Sequence, residues 1–212
     1  MSRNLFWLFS FGLLMTLGLG SCAKDTEYVN PYADWRGVND MYLDSIVDVA
    51  RHAPEGETWK IFKNYKLNVT ELAPSLHEYD SVYVKYLPAP ENGLPVGEVA
   101  PLYTDSVDAY YQGFLINGVN FDGNFSGELN LDVHHPTRFA VSAVIEGWIT
   151  ALQEMHVGEY VELYIPYQMA YGVMGQQPSI PGYSVLKFRV YIEKIIHPKG
   201  PDDYMLKKKL DK

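Results

Sequence analysis

Residues 144–190 constrain the fold most, because they contain one helical pattern followed by two strand patterns. Residues 145–155 carry apolar side chains at helical spacing, and Gly158 follows where such a helix could end. Residues 161–165 and 186–193 then alternate between apolar and polar side chains. Alternation of this kind is typical of antiparallel strands with one face in the core and one face in water. We therefore predict an α+β fold, in which a single short helix covers one face of an antiparallel β-sheet.

The residues before this stretch predict a second helix and further strands. Residues 39–53 have a helical pattern whose apolar stripe consists of Tyr42, Ile46 and Val49. Strand patterns follow at three places, which are residues 59–67, 81–87 and 107–115. The first of these strands has Trp59, Ile61, Tyr65 and Leu67 on one face. We expect Trp59, Ile61 and Tyr65 to dock on the main sheet. Asn117 and Gly118 then predict a tight hairpin turn.

Composition limits the classes of function that are open to the chain. With 212 residues, 47% of them hydrophobic, the chain can fill a core. The formal net charge of −9 argues against nucleic acid or an anionic lipid surface as the main partner. We therefore expect no nucleic-acid-binding function.

The first 22 residues have the features of an exported lipoprotein. Residues 5–19 are apolar and uncharged over 15 positions, which is shorter than the about 20 residues of a transmembrane helix and suits a secretory signal. The sequence LGSC that ends at Cys22 resembles the lipobox of bacterial lipoproteins, in which the cysteine becomes the lipidated N-terminus. Cys22 is the only cysteine, and the alternative interpretation is an ordinary thiol. We predict a lipid anchor in the cell envelope, at the outer membrane because Ala23 follows the cysteine, and leave the membrane face open.

Two groups of motifs resemble the FKBP-type peptidyl-prolyl isomerases. One is YYQGFLINGVNFD at residues 110–122. The other consists, in order, of VIEGW, VGEYVELYIP, AYG and SIPGYSVLKFRV within residues 144–190. The resemblance extends over roughly residues 80–196. It implies an antiparallel sheet wrapped over a short helix, with a pocket between them.

The N-terminal features, the composition and this resemblance together predict five regions. They are a signal peptide at 1–21, a lipidated tether at 22–34, an N-terminal accessory segment at 35–76, the FKBP-like domain at 77–197 and a polar tail at 198–212. The accessory segment has only one predicted helix and one predicted strand, which is too little for a core of its own. We therefore expect it to dock on the sheet of the FKBP-like domain.

The resemblance also implies a pocket whose residues fall into two groups. The residues implied in catalysis are Tyr111, Phe121, Asp122, Trp148, Tyr171 and Phe188. The residues implied in substrate binding are Val144, Ile145 and Ile180. Trp148 corresponds to the floor of the family's pocket, and Asp122 corresponds to a position at its rim. The Tyr171 hydroxyl and the Ile145 backbone N–H correspond to groups that bind substrate carbonyls.

The implied chemistry needs neither a nucleophile nor a cofactor. Rotation about a peptide bond breaks amide resonance, with a barrier of about 18–20 kcal/mol. The twisted amide has a smaller dipole than the planar amide, so an apolar pocket favours the twisted form. Proline-containing polypeptides are the implied substrates, and macrolides are a second implied class of ligand. His134 and His135 do not indicate a metal site, because adjacent side chains point apart.

Two departures from the family pattern leave an alternative function open. Thr137 stands where the family usually has an aromatic residue, and the loop at residues 122–139 is longer than usual. One wall of the pocket would then be missing, unless Phe125 folds back to replace it. Gln176 and Gln177 replace more typical residues and bear on the peptide preference. The alternatives to an isomerase are a catalytically weak or inactive FKBP-fold binding or chaperone lipoprotein and a purely structural envelope lipoprotein.

Overall fold

The computed structural model describes residues 32–67 and 77–198. Over these residues the α-helices and β-strands, in chain order, are α1 (Trp35–Arg51), β1 (Trp59–Lys63), β2 (Ser81–Tyr86), β3 (Ser106–Leu115), β4 (Asn120–Gly123), β5 (Thr137–Ala140), α2 (Glu146–Leu152), β6 (Tyr160–Ile165) and β7 (Leu186–Ile196). Within the same residues, neither helix is long and apolar enough to cross a membrane. The predicted signal peptide, Cys22 and nearly all of the predicted tail lie outside the described residues.

Every strand pair of the sheet is antiparallel, as the alternation predicts. The strand order is β1-β2-β6-β7-β3-β4, and β5 pairs with β3 as well. These elements belong to one compact unit that begins at Asp34. The predicted α+β class is therefore confirmed, with α1 and β1 as the N-terminal helix and strand extension.

Helix α2 packs on one face of the sheet and is almost wholly buried. Six of its seven residues are buried, and Trp148 and Leu152 join the main core cluster with Leu163 of β6. Gly147 permits the close approach, because a Cβ at this position would overlap the Cγ2 of Ile165. The helix predicted at residues 145–155 is therefore confirmed, although it is shorter at both ends.

The opposite face of the sheet is partly covered, so the prediction of a wet face is wrong for the central strands. Helix α1 lies against this face through Leu43, Ile46 and Val47, which pack with Tyr83 and Tyr164. All six residues of β6 are consequently buried, although their sequence alternates. Alternation predicted the strand correctly but not what covers its second face.

Helix α1 buries a different stripe from the predicted one. Tyr42 and Val49 are only partly buried. The buried residues of α1 are Trp35, Asn39, Leu43, Ile46 and Val47. Asn39 is tolerated there because its amide donates to the Trp35 carbonyl and its side-chain oxygen accepts the Val185 N–H, both at 2.7 Å. Because Asn39 is polar, the buried face of α1 does not appear in the sequence as a continuous apolar stripe.

Strand β1 joins the sheet at its edge, by pairing with β2, and the predicted buried face is wrong. Phe62 is buried in the main core cluster, whereas Ile61 is 40% exposed. The Trp59 ring stacks on Tyr164 on the α1 side, with 5.5 Å between ring centroids. Because α1 and α2 cover opposite faces of the sheet, apolar residues occur on both sides of β1. Its pattern therefore does not reveal one buried face.

Candidate active site

A cavity of about 430 Å³ opens between α2 and the sheet. Its lining consists of Tyr111, Phe121, Asp122, Phe139, Ala143, Val144, Ile145, Trp148, Tyr171 and Phe188. Eight of the nine residues that the motif resemblance implies are in this lining. The ninth, Ile180, is buried and lines a recess of about 260 Å³, which shares Phe121, Asp122 and Tyr171 with the cavity.

Trp148 forms the floor of the cavity and is held by three other aromatic rings. Its ring centroid lies 5.3 Å from that of Phe188, 5.5 Å from that of Phe139 and 5.6 Å from that of Tyr111. All three contacts are edge to face, an arrangement that contributes about 0.5–1.5 kcal/mol per pair beyond the burial of area. The indole is only 4% exposed, so the floor is apolar and fixed in orientation.

Strands β3 and β7 place the aromatic walls. Tyr111 and Gly113 lie two residues apart on β3 and share one face of the sheet, and Phe188 pairs with Gly113 from β7. A Cβ at Gly113 would lie 2.7 Å from both Phe121 Cζ and Phe188 Cε1. The missing side chain at Gly113 therefore lets these two rings meet edge to face, with 5.5 Å between their centroids.

The polar side chains of the cavity are two tyrosines and one carboxylate. Burial raises the pKa of Tyr111 to about 12, and the neighbouring Asp122 carboxylate adds to this effect by favouring the protonated hydroxyl. Burial also raises the pKa of Tyr171, with a further contribution from the charge of Asp122. The Tyr171 hydroxyl therefore stays protonated well above neutral pH and can donate a hydrogen bond to a ligand, whereas the proton of the Tyr111 hydroxyl is directed to the Asp122 carboxylate.

The backbone N–H of Ile145 offers a further donor. Ile145 lines the cavity and immediately precedes α2, in an extended conformation with φ −62° and ψ 153°. No acceptor within residues 32–67 and 77–198 takes a hydrogen bond from this N–H. A ligand carbonyl can therefore bind it without displacing an internal partner.

Asn124 holds the sheet together beside Tyr111. Strands β4 and β5 both pair with the edge of β3 that β7 leaves free, and neither pairs with Tyr111. The Asn124 side chain fills the gap, because Oδ1 accepts the Tyr111 N–H and Nδ2 donates to the Ala109 carbonyl, both at 2.9 Å. Nδ2 also donates to Thr137 Oγ1 at 3.1 Å. Sequence reasoning missed Asn124, because no local pattern shows that two strands end there.

We expect Asn124→Ala to lower the free energy of unfolding by about 1–3 kcal/mol, since it leaves backbone groups of Tyr111 and Ala109 without a partner. Urea denaturation followed by circular dichroism measures this change. Asn120→Ala is the matched control, because Asn120 is exposed and makes one long hydrogen bond, at 3.3 Å to the Asp122 carbonyl. The control should stay within about 0.5 kcal/mol of the wild type. Equal stability of the two variants would contradict the bridging role of Asn124.

The residues that depart from the family pattern do not line the cavity. Thr137 accepts the hydrogen bond from Asn124, whereas Phe139, two residues later on β5, supplies an aromatic wall. Phe125 is buried in a separate cluster that includes Tyr110, so the prediction that it replaces a pocket wall is wrong. Gln112 keeps it there by donating a hydrogen bond to the Phe125 carbonyl at 3.2 Å. Strand alternation could have identified Phe139, because it lies two residues after Thr137, on the same face of β5, and the position of Thr137 was expected to form a pocket wall.

Other positions singled out in the sequence lie outside the main cavity. Gln176 and Gln177 line the adjoining recess. The His134 Nδ1 accepts the Asn130 N–H at 3.1 Å, and the His134 ring lies 5.5 Å from that of Phe125. In the part of the chain that the structure describes, no group of three or more His, Cys, Asp or Glu residues is placed to hold a metal ion.

Comparison with known proteins identifies similar chains. A family model described as FKBP-type peptidyl-prolyl cis-trans isomerase matches residues 97–193. The chain is 43% identical over 97 residues to the FKBP-type 22 kDa peptidyl-prolyl cis-trans isomerase of Escherichia coli (strain K12), a match that covers 45% of this chain and 44% of that protein. A longer match, 30% identical over 188 residues, is to the FKBP-type peptidyl-prolyl cis-trans isomerase FkpA of Aeromonas hydrophila and covers 78% of this chain and 68% of the relative.

The fold is similar to that of a crystal structure of a peptidyl-prolyl cis-trans isomerase from Pseudomonas syringae pv. tomato. The TM-score is 0.52 at 23% sequence identity, and the match covers 80% of this chain and 98% of the other. At this identity the likeness concerns the fold alone. The chain spans less than half the length of the Escherichia coli relative, and the family match begins after β2.

Proposed function

The chain belongs to the FKBP-type peptidyl-prolyl cis-trans isomerase family, and we propose that it catalyses the isomerisation of prolyl bonds in polypeptides. The observation that carries this proposal is the apolar cavity over Trp148, whose lining also contains the Tyr171 hydroxyl and the free N–H of Ile145. An apolar floor with few donors suits a proline ring flanked by peptide carbonyls. Phe139 provides an aromatic wall, which weakens the case for an inactive binding module.

The proposed mechanism is differential binding of the twisted amide. Trp148, Phe121 and Phe188 form apolar surface that excludes water from the prolyl bond. Because the twisted amide has the smaller dipole, this surface binds it more strongly than the planar amide. Hydrogen bonds from Tyr171 and Ile145 hold the flanking carbonyls in a turned geometry. Each tenfold acceleration needs about 1.4 kcal/mol of differential binding, so a small cavity suffices.

Tyr171→Phe is expected to lower kcat/KM about two- to tenfold, because it removes one hydrogen bond to the transition state. The fold should stay intact, since only a hydroxyl is lost. A protease-coupled isomerisation assay measures kcat/KM, and thermal melting measures stability. Tyr167→Phe is the matched control, because Tyr167 lies outside the cavity lining and packs against Tyr183, with 5.1 Å between ring centroids. Equal kcat/KM for Tyr171→Phe and the wild type would remove the hydroxyl from the mechanism.

We further propose that the protein is exported and anchored by a lipid on Cys22. The uncharged segment at residues 5–19 and the lipobox-like sequence support this proposal, and both lie outside the described residues. The proposed substrates are then proline-containing polypeptides of the cell envelope, with the outer membrane as the proposed site of anchoring. Macrolides are proposed as a second class of ligand for the same cavity, on the basis of the family resemblance.

We expect Cys22→Ala to abolish lipidation and to leave uncleaved precursor, because the thiol is the acceptor of the lipid. Metabolic acyl labelling and detergent partitioning measure this loss in the producing bacterium. Ser21→Ala is the matched control and should retain labelling, since it changes a neighbouring small residue and keeps the thiol. An undiminished acyl signal in Cys22→Ala would rule out the proposed anchor.

A further inference from the structure

The turn at residues 64–67, which follows β1, contacts the helix that carries the cavity floor. Asn64 Nδ2 and Lys66 Nζ both donate to the carboxylate of Glu146, the first residue of α2. One helical turn later, Thr150 Oγ1 accepts the backbone N–H of the residue between these two donors at 3.3 Å. We call residues 64–67 the α2 clasp. The clasp lies outside the region that matches the family model, which begins at residue 97.

The donor at Asn64 is held in place by three hydrogen bonds besides the one to the helix. The Asn64 N–H donates to the Asp80 carbonyl at 2.9 Å, and its carbonyl accepts the Leu67 N–H at 2.8 Å. Its side-chain oxygen accepts the Lys66 N–H at 3.0 Å. Asn64 is also only 7% exposed, so its amide cannot move away from Glu146 without breaking this turn.

The α2 clasp contacts the side of α2 that faces away from the cavity. Glu146 and Thr150 are four residues apart and share one face of the helix, whereas Trp148 lies on the other face. Glu146 also directly follows Ile145, whose N–H is a proposed substrate donor. Apolar packing of α2 on the sheet is not directional. Hydrogen bonds at two successive turns do have direction, and they therefore fix the rotation of α2 about its axis.

We propose that the α2 clasp positions α2 for isomerisation, with Asn64 and Glu146 as positioning residues. This inference rests on the proposed isomerase function. Neither residue lines the cavity, so their effect reaches the substrate through Ile145 and Trp148. The accessory segment then completes the catalytic architecture from outside the region that the family model matches.

The test uses Asn64→Ala, Glu146→Ala and the double variant in the mature protein. Each single variant is expected to lower kcat/KM about two- to tenfold, because each removes the hydrogen bond between Asn64 and Glu146, and Glu146→Ala also removes the contact with Lys66. The double variant should lose no more than the worse single variant, because both substitutions break the same interaction. Glu146→Gln should keep most of the activity that Glu146→Ala loses, since the side-chain oxygen of glutamine can still accept the hydrogen bond from Asn64. Amide hydrogen exchange of Ile149, whose N–H donates to the Ile145 carbonyl at 3.0 Å, should become faster in both alanine variants.

Glu57→Gln is the matched control for a merely structural role. Glu57 also belongs to the accessory segment and accepts hydrogen bonds from Lys85 and Trp59, at 2.5 and 2.8 Å, but no hydrogen bond joins it to α2. The control should leave both kcat/KM and the exchange of α2 unchanged. Wild-type kcat/KM in Asn64→Ala, or single effects that multiply in the double variant, would overturn the proposal.

The exchange measurement separates this proposal from the proposed function. If the wild-type protein is inactive, the isomerase proposal fails. Amide hydrogen exchange of α2 then tests by itself whether the α2 clasp positions this helix. Faster exchange of α2 in Asn64→Ala but not in Glu57→Gln supports the clasp, and unchanged exchange contradicts it. If Asn64→Ala does not fold, Lys66→Met replaces it in the same comparison, because the Lys66 side chain is 56% exposed and its loss does not disturb a core.

Discussion

Replacing Trp148 by alanine is expected to lower the free energy of unfolding by about 3–5 kcal/mol, because the indole is almost fully buried against three aromatic rings. The same change should lower kcat/KM about ten- to hundredfold, since burying a ring of proline size on an apolar floor is worth about 1.5–3 kcal/mol. Urea denaturation gives the first quantity and a protease-coupled isomerisation assay gives the second. The assay has to be run at a temperature well below the melting temperature of the variant, so that unfolding does not lower the apparent rate.

Trp59→Ala is the matched control for Trp148→Ala. Trp59 is also a tryptophan in contact with another ring, but it packs on Tyr164, on the face that α1 covers. Its loss should reduce stability and leave kcat/KM within about twofold of the wild type, since the cavity is not altered. If both variants lose activity in proportion to their loss of stability, Trp148 has no role beyond packing.

We expect Gly113→Ala to destabilise the protein by about 1–3 kcal/mol, because the new methyl group overpacks the junction of two rings. A Cβ at Gly113 would lie 2.7 Å from both Phe121 Cζ and Phe188 Cε1, so at least one ring has to move. Because both rings line the cavity, their movement should also weaken substrate binding and raise KM. Denaturation and the isomerisation assay measure these two effects.

Gly97→Ala provides the comparison for a glycine without such a close approach. A Cβ at Gly97 would meet only Val157 atoms, the nearest at 3.6 Å, which is ordinary contact. This variant should remain within about 0.5 kcal/mol of the wild type and keep its KM. A Gly113→Ala protein as stable and as active as Gly97→Ala would contradict the expected overpacking. It would show that the rings of Phe121 and Phe188 can move without a loss of stability.

The strands and the helix beside the cavity were predictable because their patterns are local. Alternation identified β6 and β7, and helical spacing identified α2, since the sequence of each element places its large apolar side chains on one face. Asn117 and Gly118 gave the turn between β3 and β4, where the Gly118 N–H bonds the Leu115 carbonyl at 2.9 Å. Eight of the ten lining residues followed from motif order, which fixes positions on several elements at once, whereas Phe139 and Ala143 did not.

The errors arose where distant parts of the chain decide the environment. Ile61 was expected to be buried and Phe62 was not, because the pattern of β1 cannot show that α1 and α2 cover opposite faces. Phe125 follows Asn124, whose side chain bridges the gap at the edge of β3, and no local signal indicates which face of the sheet Phe125 then joins. The contact of Asn64 with Glu146 spans 82 positions in sequence and leaves no periodic trace.

The rate of prolyl isomerisation by the wild-type protein is the most direct measurement of the proposed activity. A proline-containing peptide isomerises unaided in tens to hundreds of seconds, roughly, at 25 °C, so a protease-coupled assay resolves any acceleration. With the mature protein, we expect the observed rate to rise in proportion to protein concentration. Trp148→Ala, assayed while folded, should abolish most of this rise. A folded wild-type protein that leaves the uncatalysed rate unchanged at every concentration would contradict the assignment of Trp148, Tyr171 and Ile145 to an isomerase site.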